Sequence, residues 1–271
     1  MIEDLVDHNQ SINGHSITVG WLLDSLRKND KEFQRKHGGR KVKEILIDEV
    51  SNGNGIISNI FRCTLSFTDS IDPKDIYTTI LKIPGTGVFM KTISDNEMTA
   101  EMTKDIAKQF VEAHSAECNF YNNLAQIFDV PIPKVYQTLE WIIGKHDGCI
   151  HMEDLTKKGK VLAFYEDINL TQIKNVIKHL AHMHKNVLEM DSKIWEGKYP
   201  SNPDGLNHFL DMLIPTIDAF KEKCRRKGLL FKTKIEIFRK NISEKRITSG
   251  TKIGAYISDI LIIAKTFIRT V

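Results

Sequence analysis

The sequence predicts an α+β fold of two lobes, with a five-stranded antiparallel sheet and one long helix in the first and an incomplete set of helices in the second. Three observations predict it. Short β-compatible runs separated by turn residues fill much of the first half. A long stretch with apolar residues three and four apart interrupts them. After Leu155 the apolar periodicity is helical.

Thr18 to Leu26 reads as a short helix, with Trp21, Leu22, Leu23 and Leu26 as its apolar face. Gln34 to Lys43 is polar and basic and reads as a connector. Ile45 to Val50 is the first expected strand. Ser51-Asn52-Gly53-Asn54-Gly55 is a turn whose glycines permit positive φ. Ile56 to Phe67 and Ile76 to Ile83 are the second and third strands, separated by a loop at Asp69 to Lys74. Glu101 to Phe128 is the long helix, in which Phe110, Ala113, Glu117, Tyr121, Leu124 and Phe128 share a face; Pro131 and Pro133 stop it. Val135 to Ile143 and Cys149 to Met152 complete the sheet around a turn at Gly144 to Gly148.

Asn169 to Glu189 is helical, with Thr171 as a candidate cap. Leu206 to Arg226, with Pro215 at a kink or near a start, and Lys232 to Asn241 are further helices. The expected domains are a first lobe over 1–152, with an N-terminal helical extension, to which Lys82 and Glu117 give a nucleotide-binding role, and a partial helical lobe over 153–271.

Composition narrows the function. A net charge of +3 over 271 residues, with dispersed basic residues, argues against a nucleic-acid partner. The cluster Lys221, Lys223, Arg225, Arg226 and Lys227 reads as a solvated helix face. Cys63, Cys118, Cys149 and Cys224 have no paired spacing, which fits a reducing compartment. The start Met1-Ile2-Glu3-Asp4 has no signal-peptide pattern, and the apolar tail Ile253 to Val271 carries Asp259, Lys265 and Arg269. A cytoplasmic protein without a membrane partner is expected. His179, His182 and His184 have no Cys, and no Glu in a His-Glu-x-x-His pattern, to complete a metal site.

Lys82 and Glu117 carry the chemistry. Lys82 closes the apolar run Ile80-Leu81-Lys82-Ile83 and shares its strand face with Ile80 and Ile76. Glu117 lies on the apolar face of the long helix. A buried lysine and a buried carboxylate each need a partner, and each supplies the other's. A glycine turn, then a strand lysine, then a helix glutamate is the order of a kinase nucleotide site, in which lysine and glutamate together position the phosphates. Glu153 and Asp154, adjacent on an extended segment, point to opposite sides and do not form a catalytic pair.

Several segments together resemble the choline-kinase-like and ecdysteroid-kinase-like (CHK) family of small-molecule phosphotransferases. They are Asn52-Gly53-Asn54-Gly55-Ile56-Ile57-Ser58, Leu81-Lys82-Ile83-Pro84-Gly85, His114-Ser115-Ala116-Glu117-Cys118-Asn119-Phe120-Tyr121, Ile132-Pro133-Lys134-Val135-Tyr136, His151-Met152-Glu153-Asp154-Leu155 and Leu180-Ala181-His182-Met183-His184. The resemblance runs from about Thr18 to about Leu213. It implies a protein-kinase-like fold, ATP with Mg2+, and a small-molecule hydroxyl as phosphate acceptor. By the same resemblance Gly53, Gly55 and Ser58 cover the nucleotide, Lys82 contacts its phosphates, Glu117 orients Lys82, and Met152, Glu153 and Leu155 line the adenine.

The family's His-Gly-Asp loop and its metal-binding aspartate have no match. After His184 there is a single histidine, His208, followed by Phe209-Leu210-Asp211, and Asp218 and Asp259 lack an Asn partner at the right spacing. Ser249 to Tyr256 stands where the loop should fall. No catalytic residue and no metal ligand is therefore assigned. The expectation is a kinase-family chain impaired in phosphotransfer, or a pseudokinase that binds a nucleotide or a partner.

Overall fold

The structure, a computed structural model, describes residues 3–51, 58–85, 100–159 and 169–194, with the side chains of 100–103 and 106 left out. Gly53, Gly55, the helices expected over Leu206 to Arg226 and Lys232 to Asn241, the basic cluster and the apolar tail lie outside the described residues. The described residues up to Met190 belong to one compact unit, and residues 191–194 to a second.

Helix α1 (Val19–Asn29) starts where the Thr18 hydroxyl accepts the Trp21 N–H. Helix α2 (Lys31–His37) follows at once, because the Asp30 carboxylate accepts the N–H groups of Glu32 and Phe33. This corrects the expected connector over Gln34 to Lys43. The helix is short, and its buried residues are Phe33 and His37, too few to make a visible stripe.

Strands β1 (Val42–Glu49), β2 (Ser58–Phe67), β3 (Ile76–Pro84), β4 (Val135–Leu139) and β5 (Cys149–Glu153) form a five-stranded sheet in the order β1-β2-β3-β5-β4. Every neighbouring pair is antiparallel. Strand β4 ends at Leu139 rather than at Ile143. Beyond it the backbone turns, with Ile142 bridging His146 and Gly144 at a φ of 77° that suits glycine.

Between β3 and β4 runs helix α3 (Ala100–Asn123), followed by the single turn α4 (Ala125–Phe128). The stripe expected as one helix is thus broken at Leu124. Asp129, in the left-handed region at φ 47°, ends the segment before Pro131. Helix α5 (Leu170–Glu189) starts with a capping box in which Asn169 and Gln172 exchange bonds. Asn169, not Thr171, is the cap.

The two faces of the sheet differ. Phe61, Cys63, Leu65, Phe67, Leu81, Ile83 and Cys149 point to one side and join Leu22, Leu23, Leu26 and Phe33 of α1 and α2 in the main hydrophobic core. Burial of each such large side chain contributes about 1.5–3 kcal/mol. The other side carries Ile60, Arg62, Ile80, Lys82, Ile150 and Met152, because side chains alternate along each strand.

Candidate functional site

Residues directly opposite one another in an antiparallel ladder share a face. Across β2, β3 and β5, Ile60, Lys82 and Ile150 therefore make one row, and Arg62, Ile80 and Met152 make the next. The rows lie roughly 7 Å apart, two residues along the strands. Lys82 is flanked on both sides by isoleucine on the middle strand of the three.

The Lys82 ammonium meets Glu117 of α3. Its Nζ lies 2.6 Å from both Oε1 and Oε2. The two side chains keep 17% and 19% of their surface exposed. An ammonium has three N–H donors. Two face the carboxylate oxygens, and no further partner of the ammonium is seen among the described residues.

Helix α3 is tied to the end of β4 by a residue one turn from Glu117. His114, one turn earlier, donates from Nε2 to the Leu139 carbonyl at 2.9 Å, and its burial lowers the imidazole pKa. Gly148 makes room for that ring. A Cβ there would lie 2.4 Å from His114 Nε2. Cys118 and Tyr121 pack on the same side of the helix. Burial pushes the Cys118 thiol up to about 12 and raises the Tyr121 hydroxyl, with the Glu117 charge adding to both.

The remaining expected site residues are placed as follows. Ser58 opens β2, buried and opposite Pro84. Met152 stands opposite Ile80, and its carbonyl accepts the Thr79 hydroxyl at 2.9 Å. The Glu153 N–H donates to the Lys134 carbonyl, and its carboxylate accepts from the Lys134 N–H and from Lys158 Nζ. That side chain is thus occupied by the segment leading into β4. The Leu155 carbonyl accepts from the Lys158 and Gly159 N–H groups in a tight turn. Asp154 is turned away from Glu153 and pairs with Arg62, Nε to Oδ2 at 3.0 Å.

Two features escaped the sequence. Arg62 is a lone charge in a β-compatible run, on the parity of Ile60, and only that parity could have flagged it. The second is a fully buried chain of hydrogen bonds behind the site. Ser25 Oγ of α1 lies 2.7 Å from His151 Nδ1, and His151 Nε2 lies 2.8 Å from Thr79 Oγ1. Thr79 donates its hydroxyl proton to Met152 O, so the imidazole donates from Nε2 and accepts the Ser25 proton at Nδ1. Burial lowers the His151 pKa to about 3, so the ring is neutral.

Among the described residues, no group of three His, Cys, Asp or Glu side chains could hold a metal ion, and no helix is long and apolar enough to cross a membrane. His182 pairs with Asp129 at 3.1 Å. Cys63, Cys118 and Cys149 are buried free thiols.

No solved structure matches the chain. A Caenorhabditis elegans protein named "Uncharacterized oxidoreductase dhs-27" is 26% identical over 194 residues, which are 70% of this chain and 22% of that protein. The chain therefore spans about a fifth of that relative's length. A family model, DUF1679, described as "Uncharacterized oxidoreductase dhs-27", matches residues 36–258, well over half of the chain. That span includes the three strands carrying Lys82 and both its neighbours, helix α3 with Glu117, and α5, and on it the chain belongs to the DUF1679 family, which is related to kinase-like families.

Proposed function

We propose that this chain carries the nucleotide-binding half of an ATP-dependent small-molecule kinase of the choline-kinase-like and ecdysteroid-kinase-like kind, and that it transfers phosphate poorly if at all. The single observation behind this reading is the Lys82–Glu117 pair on a middle strand and the helix after it. In that place a lysine held by a carboxylate presents its remaining proton to a phosphate oxygen. The residues on the same face, Ile60, Ile80, Ile150 and Met152, offer an apolar floor for a base. Met152 and Glu153 end β5 beside it, and Asp154 and Leu155 follow. Gly53 and Gly55, which lie outside the described residues, are the phosphate-covering positions by sequence resemblance alone.

ATP with Mg2+ fits this donor set at the phosphates, while the aspartates that hold the metal in such kinases have no match in the sequence. The acceptor on this reading is a small-molecule hydroxyl. Without a His-Gly-Asp segment the chain has no side chain assigned to take the hydroxyl proton. Transfer therefore falls by orders of magnitude, since single charge-stabilising groups in phosphoryl transfer are worth about 10³-fold or more. A pseudokinase module that binds nucleotide or a protein partner is the alternative that shares the same site.

The relative's name does not transfer on this reading. The match covers 22% of that protein. The described sheet is antiparallel throughout, whereas a dinucleotide crevice needs parallel strands joined by helical crossovers.

The test is the thermal midpoint of the intact chain with ATP and Mg2+, with NADH as comparison, and the same for Lys82→Ala. The expected outcome is a shift with ATP alone, lost in Lys82→Ala. A chain indifferent to ATP removes the nucleotide reading, and a shift with NADH restores the oxidoreductase one.

A further inference from the structure

The face that carries Lys82 holds a second ion pair, starting one row further along the strands. Arg62 stands in the row next to Lys82, directly opposite Ile80, and Ile80 stands opposite Met152. From β2 the Arg62 side chain reaches the segment just after β5. Its Nε donates to Asp154 Oδ2 at 3.0 Å and its Nη2 to Thr156 Oγ1 at 2.6 Å. Reaching that segment means crossing β3, one strand spacing of about 4.8 Å on either side.

Asp154 is built for this contact. Its side chain is 7% exposed. Burial alone would raise its pKa, but hydrogen bonds from Thr156 and Thr78 and the Arg62 charge bring it below the usual value. The Thr156 N–H donates to Asp154 Oδ1 at 2.9 Å, and the Thr156 hydroxyl bonds the same oxygen. A carboxylate with this many donors is fixed in place, and so is the guanidinium it holds.

The geometry points to Arg62 as a positioning residue that closes the base end of the nucleotide slot. With Asp154 and Thr156 it forms a latch tying β2 to the segment after β5. One end of the slot is then Lys82–Glu117 and the other is Arg62–Asp154, with the Ile80–Met152 row between Lys82 and Asp154. The latch holds β2 and the segment after β5 at one separation across the Ile80–Met152 row, so it sets the grip on the base and leaves the phosphates to Lys82. This inference rests on the nucleotide reading above.

Two probes separate the ends of the slot: Mg-ATP, and inorganic tripolyphosphate with Mg2+, which has phosphates and no base. Their affinities are measured by calorimetry on the intact chain, Arg62→Ala, Asp154→Asn, the exchange Arg62→Asp with Asp154→Arg, and Lys82→Ala. We expect Arg62→Ala and Asp154→Asn to weaken ATP about tenfold or more, as loss of a charged hydrogen bond does. Tripolyphosphate should change by less than about twofold. The exchange should recover part of the ATP affinity, and Lys82→Ala should lose both ligands. Asp154→Asn, nearly isosteric, keeps the test open if Arg62→Ala does not fold. Equal loss of both probes in the Arg62 and Asp154 variants, or no loss of either, overturns the latch while Lys82 keeps its role. If the intact chain binds tripolyphosphate and ATP equally, the base end is absent and the latch fails alone. If it binds neither, the nucleotide reading fails and the latch with it.

Discussion

One face of the sheet hides its polar groups and the other displays them. Behind the sheet, Ser25, His151 and Thr79 are fully buried, neutral and bonded in series from α1 to the Met152 carbonyl. In front, Lys82 with Glu117 and Arg62 with Asp154 form salt bridges, and Lys82, Glu117 and Arg62 stay partly exposed. Neutral bonds suit a position that must not move, because a buried charge is costly and a satisfied hydroxyl or imidazole is not. Ions that stay partly hydrated cost less to hold than fully buried ones. The strands that carry both sets are the same, and only the parity of the residue decides which set it joins.

The largest expected contrast comes from adjacent positions of β3. Leu81→Ala should lower unfolding free energy by about 2–5 kcal/mol in a denaturant titration, since Leu81 is completely buried in the core. Lys82→Ala should cost far less stability and lose the whole ATP-dependent shift. Should Leu81→Ala instead remove ATP binding at little cost in stability, the two faces have been assigned the wrong way round.

Acid should attack the neutral side first. His151 titrates at about 3 when folded and near the ordinary histidine value when unfolded. The unfolded chain therefore binds the extra proton between those values, and stability falls as pH drops from about 6.5 towards 3. One such proton gives a slope of up to ~1.4 kcal/mol per pH unit. His37 and His114, also lowered by burial, act in the same direction. Unfolding measured across this range should flatten in His151→Gln. The carboxylates Asp4 and Asp154, whose folded pKa values are lowered, contribute stability that is lost only further down, below the ordinary aspartate value.

A smaller effect should link the two sides. Gly148→Ala places a Cβ against His114, so α3 must shift or the ring must leave the Leu139 carbonyl. We expect about 1–3 kcal/mol of destabilisation and a weaker ATP shift, because Glu117 rides on the same helix. The least effect belongs to the surface. Breaking the exposed Lys28–Asp24 pair of α1 by Lys28→Ala should change stability by no more than about 0.5 kcal/mol and leave ATP binding as it was.

Much of this was legible in the chain because it is local. The strands β2, β3 and β5 announce themselves by β-compatible residues between turn residues, and α5 by its three-and-four spacing. Lys82 and Glu117 were visible because each is a charge in an apolar pattern, which is improbable without a partner. Helix α2 was not visible, since its stability comes from the Asp30 cap and from Phe33 reaching the core rather than from a stripe. The break of the long helix at Leu124 was equally hidden, as the apolar spacing runs through it unchanged. Arg62 escaped because one charge at the right parity of a half-exposed strand is ordinary until the opposite strand and the chain beyond it are in place.

By itself the amino-acid order determined the α+β class, the antiparallel run of strands and the demand of one ammonium and one carboxylate for a partner. Those follow from periodicity and from the cost of burying charge, which act over a few residues. Tertiary structure alone decided that β5 lies next to β3 ahead of β4, that His151 sits between Ser25 and Thr79, and that Arg62 meets Asp154. Such contacts join residues 72 to 126 positions apart, and no local preference encodes which of many possible partners will be brought within hydrogen-bonding reach.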